Sequence, residues 1–159
     1  MSKLEAKTAN IYRTARMTAG LTQERWSEML GVSPEAVRQY EAGTYIPADE
    51  IARRMAELAG MPVLAYWHLC RKSKLAAALL PEVEDVPLPQ AVCRLLAAVG
   101  AWTHNQRADR LLQIAADGHV DELEDDGFQR ILSDLEEIVQ AALQVKFAED
   151  KEEGTLWHG

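Results

Sequence analysis

The sequence predicts an all-α protein with two helical domains. Apolar residues recur at helical spacing along most of the 159 residues, no segment shows the alternation of a β-strand, and glycines and prolines mark the ends of the helical runs. Residues 81–89 contain three prolines and three acidic residues, a composition that breaks helices and favours an extended, exposed chain. We therefore expect domains over residues 1–80 and 90–150, a proline-rich acidic linker between them, and a tail over residues 151–159.

The first helix is expected over residues 8–19, after a frayed or arm-like start over residues 1–7. Ile11, Tyr12 and Ala15 recur on one face of this helix, so we expect them to be buried. A glycine follows directly and ends the helix.

Residues 23–42 predict two short helices joined by a tight turn. Thr22 can cap the first helix with its hydroxyl oxygen, and Gly31 can adopt the left-handed conformation that ends it. Ser33 can cap the second helix in the same way. Pro34 suits the first helical position, where its missing N–H costs nothing.

The two faces of this helix pair differ in polarity. Trp26 and Leu30 of the first helix and Val37 and Tyr40 of the second are apolar and are expected to face one another. The opposite face of the second helix is polar, because it carries side chains at i, i+3 and i+4 spacing: Glu35, Arg38 and Gln39. That face is free to contact another molecule.

Two more helices complete a predicted set of five in the N-terminal domain. One is expected over residues 48–59, with Asp49 and Glu50 in its first turn, where negative charge interacts favourably with the helix dipole. The other is expected over residues 61–80. Its apolar pattern is interrupted by a basic cluster, which we expect to be solvated, with phosphate contact as the alternative: Arg71, Lys72 and Lys74.

The small C-terminal domain is also predicted to be helical, over residues 90–102, 105–116 and 128–147. In the last of these segments, apolar residues repeat at close to heptad spacing: Phe128, Leu132, Leu135, Ile138, Val139 and Ala142. Such a stripe suits a helix–helix interface between two chains. The alternative is a helix packed on the core of its own domain.

The helix pair resembles the helix-turn-helix of the phage-repressor-like (Xre/Cro) family. Counted from Gln23, the likeness rests on the fifth, ninth, tenth, fifteenth and eighteenth residues, which are Ser27, Gly31, Val32, Val37 and Tyr40. The flanks agree with the five-helix domain of that family at Arg16, Gly20, Leu21, Thr22, Gln23, Glu41, Gly43, Pro47, Ala56 and Gly60. The sequence departs from the family at Trp26, where Leu is usual, at Ser27, where Ala is usual, and at Thr44 and Tyr45, where Lys or Arg is common.

The resemblance implies a repressor-like DNA-binding domain and a sequence-specific transcriptional regulator of bacterial or phage type, with double-stranded operator DNA as its partner. In such a domain the second helix of the pair enters the major groove, which implies base contacts by Ser33, Glu35, Arg38 and Gln39. Of these side chains, Gln39 suits adenine, Arg38 suits guanine or a phosphate, and Glu35 suits the amino group of cytosine.

Three further roles follow from the resemblance. Gln23 looks like the phosphate contact of the family, and Thr44 and Tyr45 occupy the loop positions where the family usually has a cation for a phosphate. Arg16 and Glu41 correspond to a structural ion pair. Because one such domain contacts only a few base pairs, we also expect a homodimer, whose interface would be the stripe from Phe128 to Ala142.

The charge is unevenly distributed along the chain. Residues 1–75 carry 11 Lys and Arg against 8 Asp and Glu, a net charge of +3, whereas residues 76–159 carry 6 against 17, a net charge of −11. The half that resembles a DNA-binding domain is therefore the basic half. Its charge is small, and the loop after Gly43 lacks basic residues. An alternative therefore stays open, a protein-interaction adaptor on a repressor-like fold that does not bind DNA.

No catalytic or metal-binding pattern accompanies these features. Cys70 and Cys93 form no CxxC pair and are expected to be small buried hydrophobes, and the four histidines have no zinc-site spacing. No nucleophile with its base can be assembled from the spacing, so we expect neither an enzyme nor a cofactor.

Residues 117–124 imitate the second half of a calcium loop. Gln113 and Ala115 fall where two of the oxygen ligands should be, so we expect a turn between helices, with Asp121 capping the next helix, and no metal. The sequence has no apolar run of 18 residues, no cleavable leader and no lipidation signal. We therefore expect a cytoplasmic protein without a membrane partner.

Overall fold

The computed structural model describes residues 10–116 and 125–149, and this part of the chain contains helices and no strand. In chain order the helices are α1 Ile11–Thr18, α2 Gln23–Leu30, α3 Pro34–Ala42, α4 Asp49–Ala59, α5 Val63–Lys72, α6 Lys74–Leu79, α7 Leu88–His104, α8 Arg107–Ala115 and α9 Asp125–Glu149. The all-α prediction is confirmed. The expected arm over residues 1–7, the calcium-like turn over residues 117–124 and the tail over residues 151–159 lie outside the described residues.

The helices form two compact units, which divide between Leu80 and Pro81. In the N-terminal unit, α1 packs on α3, α4 and α5, while α2 packs on α3 and α4. Each helix contributes an apolar stripe to one core, whose largest fully buried side chains include Tyr12, Trp26, Leu30, Val37, Met55, Val63 and Leu64. The apolar residues that were expected to be buried in α1, α2 and α3 are therefore buried, except that Ile11 is only half-buried.

Capping residues explain where the helices of this unit begin. Asn10 caps α1, because its side-chain oxygen accepts hydrogen bonds from the backbone N–H groups of Tyr12 at 2.9 Å and Arg13 at 3.4 Å. The helix therefore starts three residues after the expected position. In α4, Asp49 and Glu50 occupy the first turn as the sequence predicts.

The single helix expected over residues 61–80 is wrong, because the structure has two helices that meet at Ser73. The backbone of Ser73 is extended, with φ −116° and ψ 114°, and its hydroxyl oxygen accepts a 3.2 Å hydrogen bond from the N–H of Ala76. Ser73 is therefore the N-cap of α6 as well as the end of α5. The helical spacing of the apolar residues continues through this break, which is why the break is not visible in the pattern.

The C-terminal unit begins with the segment expected to be an exposed linker. Residues 81–87 are extended, but Val83 and Val86 are buried, so the expectation of exposure is wrong for these side chains. Val86 packs with Ala91 and Ala148, and the carbonyl oxygen of Glu82 accepts a 2.6 Å hydrogen bond from the side chain of Gln140. Apolar burial holds the segment against its own unit even though its prolines exclude it from a helix.

Helices α7 and α9 form the body of the C-terminal unit. They are antiparallel, because Ala91 near the start of α7 packs with Ala148 near the end of α9. Helix α8 packs on both and is joined to α9 by an ion pair between Arg107 and Asp134, with an Nε to Oδ2 distance of 2.5 Å. Leu88 and Pro89 lie in the first turn of α7 and extend it beyond its expected start.

Candidate nucleic-acid interface

Helices α2 and α3 form a tightly capped pair. The hydroxyl oxygen of Thr22 accepts from the N–H of Arg25 at 3.2 Å, and that of Ser33 accepts from the N–H of Ala36 at 3.1 Å. Between the helices, Gly31 has a φ of +70°, a left-handed conformation that costs a residue with a Cβ about 1 kcal/mol or more. The pair is therefore fixed at three points along its backbone.

Ser27 shows how this domain accommodates a polar residue at a position where the family usually has Ala. The side chain is buried, and its hydroxyl donates a 2.7 Å hydrogen bond to the backbone carbonyl oxygen of Glu24. Because the hydroxyl is satisfied within α2, its burial does not leave an unpaired polar group in the core.

The exposed face of α3 brings three of the predicted base-contact residues together. Arg38 Nε donates to Glu35 Oε2 at 3.0 Å, and Gln39 Nε2 donates to Glu35 Oε1 at 3.4 Å. The Arg38 and Glu35 side chains are 52% and 62% exposed, so their ion pair contributes little, about 1 kcal/mol or less. Both donors can therefore leave Glu35 for a nucleic-acid base at small cost. Ser33, the fourth predicted base-contact residue, is the exposed N-cap of the same helix, and its hydroxyl oxygen is engaged in the cap.

Glu41 is the centre of a network at the other end of α3. Arg16 reaches it with two hydrogen bonds, from Nε at 2.5 Å and from Nη2 at 3.1 Å, and Gln23 Nε2 donates to the same carboxylate at 2.8 Å. The hydrogen bond to Glu41 raises the pKa of Arg16 above its ordinary value. The structure thus joins Arg16 and Glu41, and it places the Gln23 amide nitrogen on Glu41 rather than free for a phosphate.

The loop after α3 contains the other two predicted phosphate contacts. The hydroxyl of Thr44 donates to the carbonyl oxygen of Gln39 at 3.2 Å and so closes the end of the helix. Tyr45 is 60% exposed, and its ring lies 6.1 Å from that of Tyr40. Both residues are exposed, and the hydroxyl of Thr44 is already engaged within the chain.

Arg71 and Asn10 also lie at the end of α3, although the sequence gives no sign of it. Asn10 Nδ2 donates to the carbonyl oxygen of Tyr40 at 2.7 Å. A Cβ built on Gly43 would lie 2.8 Å from Nη2 of Arg71 and 3.5 Å from Nδ2 of Asn10. Gly43 has a φ of +74°, a left-handed backbone conformation that favours glycine. A contact between residues so far apart in the chain leaves no periodic signal that could have predicted it.

A chain of hydrogen bonds holds the ring beneath Arg71. The guanidinium carbon of Arg71 lies 5.9 Å from the centroid of Tyr12, whose hydroxyl is 2.9 Å from Nδ1 of His68. His68 Nε2 is 3.0 Å from Asp49 Oδ1. Because a carboxylate only accepts, Nε2 donates to Asp49, and in the neutral imidazole Nδ1 then accepts from Tyr12, so the buried ring is satisfied on both sides.

Burial and charge shift two pKa values in this chain of hydrogen bonds. Burial raises the pKa of Tyr12 to about 12, and the nearby charge of Arg71 acts in the opposite direction. Hydrogen bonds from Lys72 and then from His68 lower the pKa of Asp49. Asp49 is exposed, so its pair with Lys72 is screened by water.

Other kinds of site are not found in the described part of the chain. No three His, Cys, Asp or Glu side chains of residues 10–116 and 125–149 converge as metal ligands would. Cys70 is half-buried, which raises its pKa, whereas Cys93 is exposed, contrary to the expectation of a buried side chain. None of the described helices is both long and apolar enough to span a lipid bilayer.

Comparison with known proteins gives one match. Residues 13–64 match the family described as Helix-turn-helix, a range that covers most of α1, all of α2 to α4 and the start of α5. No curated protein and no solved structure matches the chain significantly. The family is one of DNA-binding regulators. With the capped pair and the polar face of α3, this match identifies the N-terminal unit as an Xre/Cro-like, phage-repressor-like helix-turn-helix domain.

Proposed function

We propose that the protein is a sequence-specific DNA-binding transcriptional regulator of bacterial or phage type that acts in the cytoplasm on double-stranded operator DNA. The observation that carries this proposal is the exposed face of α3, where Glu35, Arg38 and Gln39 lie together on a helix fixed by caps at both ends. Each base pair presents a distinct pattern of hydrogen-bond donors and acceptors in the major groove. Amide and guanidinium groups at this position can form paired hydrogen bonds with such patterns. Specificity would come from these base contacts, because a net charge of +3 over residues 1–75 supports only weak non-specific binding.

Two copies of the chain would bind a two-fold operator, and the C-terminal unit offers a surface that could join them. Ile131, Ile138 and Ala141 lie on the side of α9 that is wholly or partly covered, and an apolar residue directly follows each of them: Leu132, Val139 and Ala142. In α7 the buried residues Ala91 and Ala98 are likewise followed by the exposed residues Val92 and Val99. Each of these following residues lies about 100° further around the helix axis than the covered residue before it.

Because α7 and α9 are antiparallel, the same rotation turns both apolar stripes to the same side of the helix pair. We call this surface the hairpin face: Leu88, Val92, Leu96 and Val99 of α7 with Leu132, Leu135, Val139 and Ala142 of α9. Of the residues expected at the interface, Phe128, Leu135 and Ile138 are half-buried within the unit, while Leu132, Val139 and Ala142 are exposed. We propose the hairpin face, rather than α9 alone, as the homodimer interface.

The test of DNA binding begins with selection of bound fragments from genomic DNA at low salt. Arg38→Ala and Gln39→Ala should each weaken binding to the selected site by about 1 to 3 kcal/mol and relax the base preference at one position. Arg53→Ala is the matched control, because Arg53 forms the same kind of exposed i, i+3 pair with Glu50 on α4. It should leave the base preference unchanged.

Two results would count against the proposal. If Arg38→Ala and Gln39→Ala bound every sequence as the parent does, the exposed face of α3 would not be the reading surface. If the parent shifted no fragment even at low salt, the adaptor function would be favoured over DNA binding.

A further inference from the structure

We propose that Arg71, from α5, is a phosphate-contacting residue that completes the DNA interface at the end of α3. This inference rests on the proposed function, since it assumes that α3 enters the major groove. In the loop directly after α3, Thr44 and Tyr45 occupy the positions where a positively charged side chain would contact a DNA phosphate. The structure assigns that cation to a helix much later in the chain.

The position of Arg71 is the first observation. Its Nη2 atom lies so near Gly43, the C-cap of α3, that a Cβ there would be 2.8 Å away. Helix α3 has nine residues and is about 13 Å long. The major groove is only about 8.5 Å deep. If α3 enters the groove by its N-terminal end, a helix of this length has its C-terminal end at the rim of the groove, where the phosphates lie.

The availability of Arg71 is the second observation. Five of the nine Lys and Arg side chains of residues 10–80 are engaged by carboxylates: Arg16 by Glu41, Arg25 by Glu28, Arg38 by Glu35, Arg53 by Glu50, and Lys72 by Asp49. Within residues 10–116 and 125–149, no carboxylate lies within 4.0 Å of Arg71. Its side chain is exposed, so the guanidinium is accessible to an external anion.

The orientation of Arg71 is the third observation. The guanidinium lies over the ring of Tyr12, and that ring is fixed through its hydroxyl by the buried His68. A guanidinium held over an aromatic ring loses less conformational freedom when it binds, and its planar donors match two phosphate oxygens. Arg71 is therefore better prepared to bind a phosphate than a flexible surface lysine.

A purely structural function for Arg71 makes different predictions. Its charge lies beside the C-terminal carbonyl groups of α3, where the helix dipole favours a cation. If this were its only function, removal of the charge would lower the stability of the N-terminal unit. The number of ions released on DNA binding would not change.

The experiment measures the affinity for the selected site from about 50 to about 300 mM salt for the full chain. Loss of one phosphate contact should reduce the slope of log K against log salt by about 0.9. We expect this for Arg71→Gln, with a similar loss of affinity on selected and unrelated DNA and an unchanged base preference. Lys74→Gln is the matched control, since it removes one positive charge from an exposed residue nearby on α6 and should leave the slope unchanged.

A second measurement uses the unaltered protein and so does not depend on the folding of a variant. An arginine-specific dicarbonyl reagent should modify Arg71 in the free protein and much less in the DNA complex, as read by mass spectrometry. Arg53, on α4, should react equally in both. Each of three results would overturn the inference. The salt slope of Arg71→Gln could equal that of the parent, the slope could fall equally in Lys74→Gln, or the reagent could modify Arg71 equally in the free protein and in the DNA complex. Failure of the parent to bind DNA would instead overturn the proposed function.

Discussion

At the scale of single residues, Glu41 connects α3 to both α1 and α2 through hydrogen bonds. It accepts from both Arg16 and Gln23, and its side chain is 7% exposed. Glu41→Ala would leave the guanidinium of Arg16 partly buried without its counter-charge, which should lower the free energy of unfolding by about 2 to 4 kcal/mol. Denaturant unfolding of the two proteins measures this difference.

The exposed pair of Arg25 and Glu28 provides the control for this prediction. Both side chains are more than half exposed, so Glu28→Ala should cost about 1 kcal/mol or less. Equal costs for the Glu41 and Glu28 variants would show that burial does not strengthen the Glu41 network.

Tyr12 makes the stability of the N-terminal unit depend on alkaline pH. Its pKa is raised to about 12 in the fold, whereas an unfolded tyrosine titrates near 10. The neutral phenol is therefore favoured by folding. Its contribution is complete below pH ~10 and is lost as pH rises towards 12, by about 1 kcal/mol at pH ~11.

Tyr12→Phe tests this dependence. The variant should unfold more easily at neutral pH by about 1 kcal/mol, because Nδ1 of the buried His68 loses its donor. Its stability should also fall less between pH ~9 and pH ~11 than that of the parent. A variant whose alkaline loss equals that of the parent would show that Tyr12 is not the group responsible.

Residues differ in how far the sequence predicts their contacts. The pairing of Arg16 with Glu41 follows from resemblance to a known family, and the polar set on α3 follows from helical spacing alone. The positions of Asn10 and Arg71 at the end of α3 do not, because they depend on how α1 packs on α3 and on α5. Burial of His68 between Tyr12 and Asp49 was missed for the same reason.

At the scale of elements, the start of α3 contributes to stability through its cap and is also part of the proposed DNA-reading surface. The hydroxyl oxygen of Ser33 accepts from the backbone N–H of Ala36, and replacement of such a cap by Ala costs about 1 kcal/mol. We expect Ser33→Ala to lower the midpoint of thermal unfolding and Ser33→Asp to preserve it, since Asp is also a good N-cap.

The two variants should rank in the reverse order in DNA affinity: the more stable variant, Ser33→Asp, should bind more weakly. In the proposed complex the start of α3 faces the groove, and Ser33→Asp adds a negative charge there. This variant should therefore bind DNA more weakly than Ser33→Ala at low salt. Anisotropy titrations on the selected site measure this. Stronger binding by the Asp variant would place the start of α3 away from the DNA.

The elements themselves were largely predictable, because caps and glycines coincide with changes in the hydrophobic pattern. The helix pair of α2 and α3 has its expected boundaries and buried residues. The division at Ser73 was not predictable, since serine is tolerated within helices and only the backbone shows that it caps a new one. Nor was the burial of Val83 and Val86, because proline-rich composition predicts the backbone of a segment and not what its side chains pack against.

At the scale of the whole molecule, the charge separates along the chain in the same order as the two units. Residues 1–75 have a net charge of +3 and residues 76–159 a net charge of −11. If DNA binding uses the first part and dimerisation the second, salt should affect the two processes in opposite directions. Screening weakens attraction to phosphates and weakens repulsion between two acidic units.

The dimer prediction can be tested by sedimentation of the full chain at tens of micromolar. We expect a dimer whose dissociation constant falls as salt is raised. Leu96 and Val139 are 66% and 49% exposed on the two helices of the hairpin face. Leu96→Asp and Val139→Asp should each convert the protein to a monomer, because the change places a further negative charge in an apolar interface between acidic surfaces.

Leu112→Asp is the matched control for the dimer prediction, since Leu112 is 70% exposed but belongs to α8 and not to the hairpin face. It should remain dimeric. A monomeric parent, or a dimer that survives both substitutions in the hairpin face, would exclude that surface. Because dimerisation links two weak half-sites, the monomeric variants should also lose affinity for a two-fold operator while retaining the affinity of one domain for a half-site.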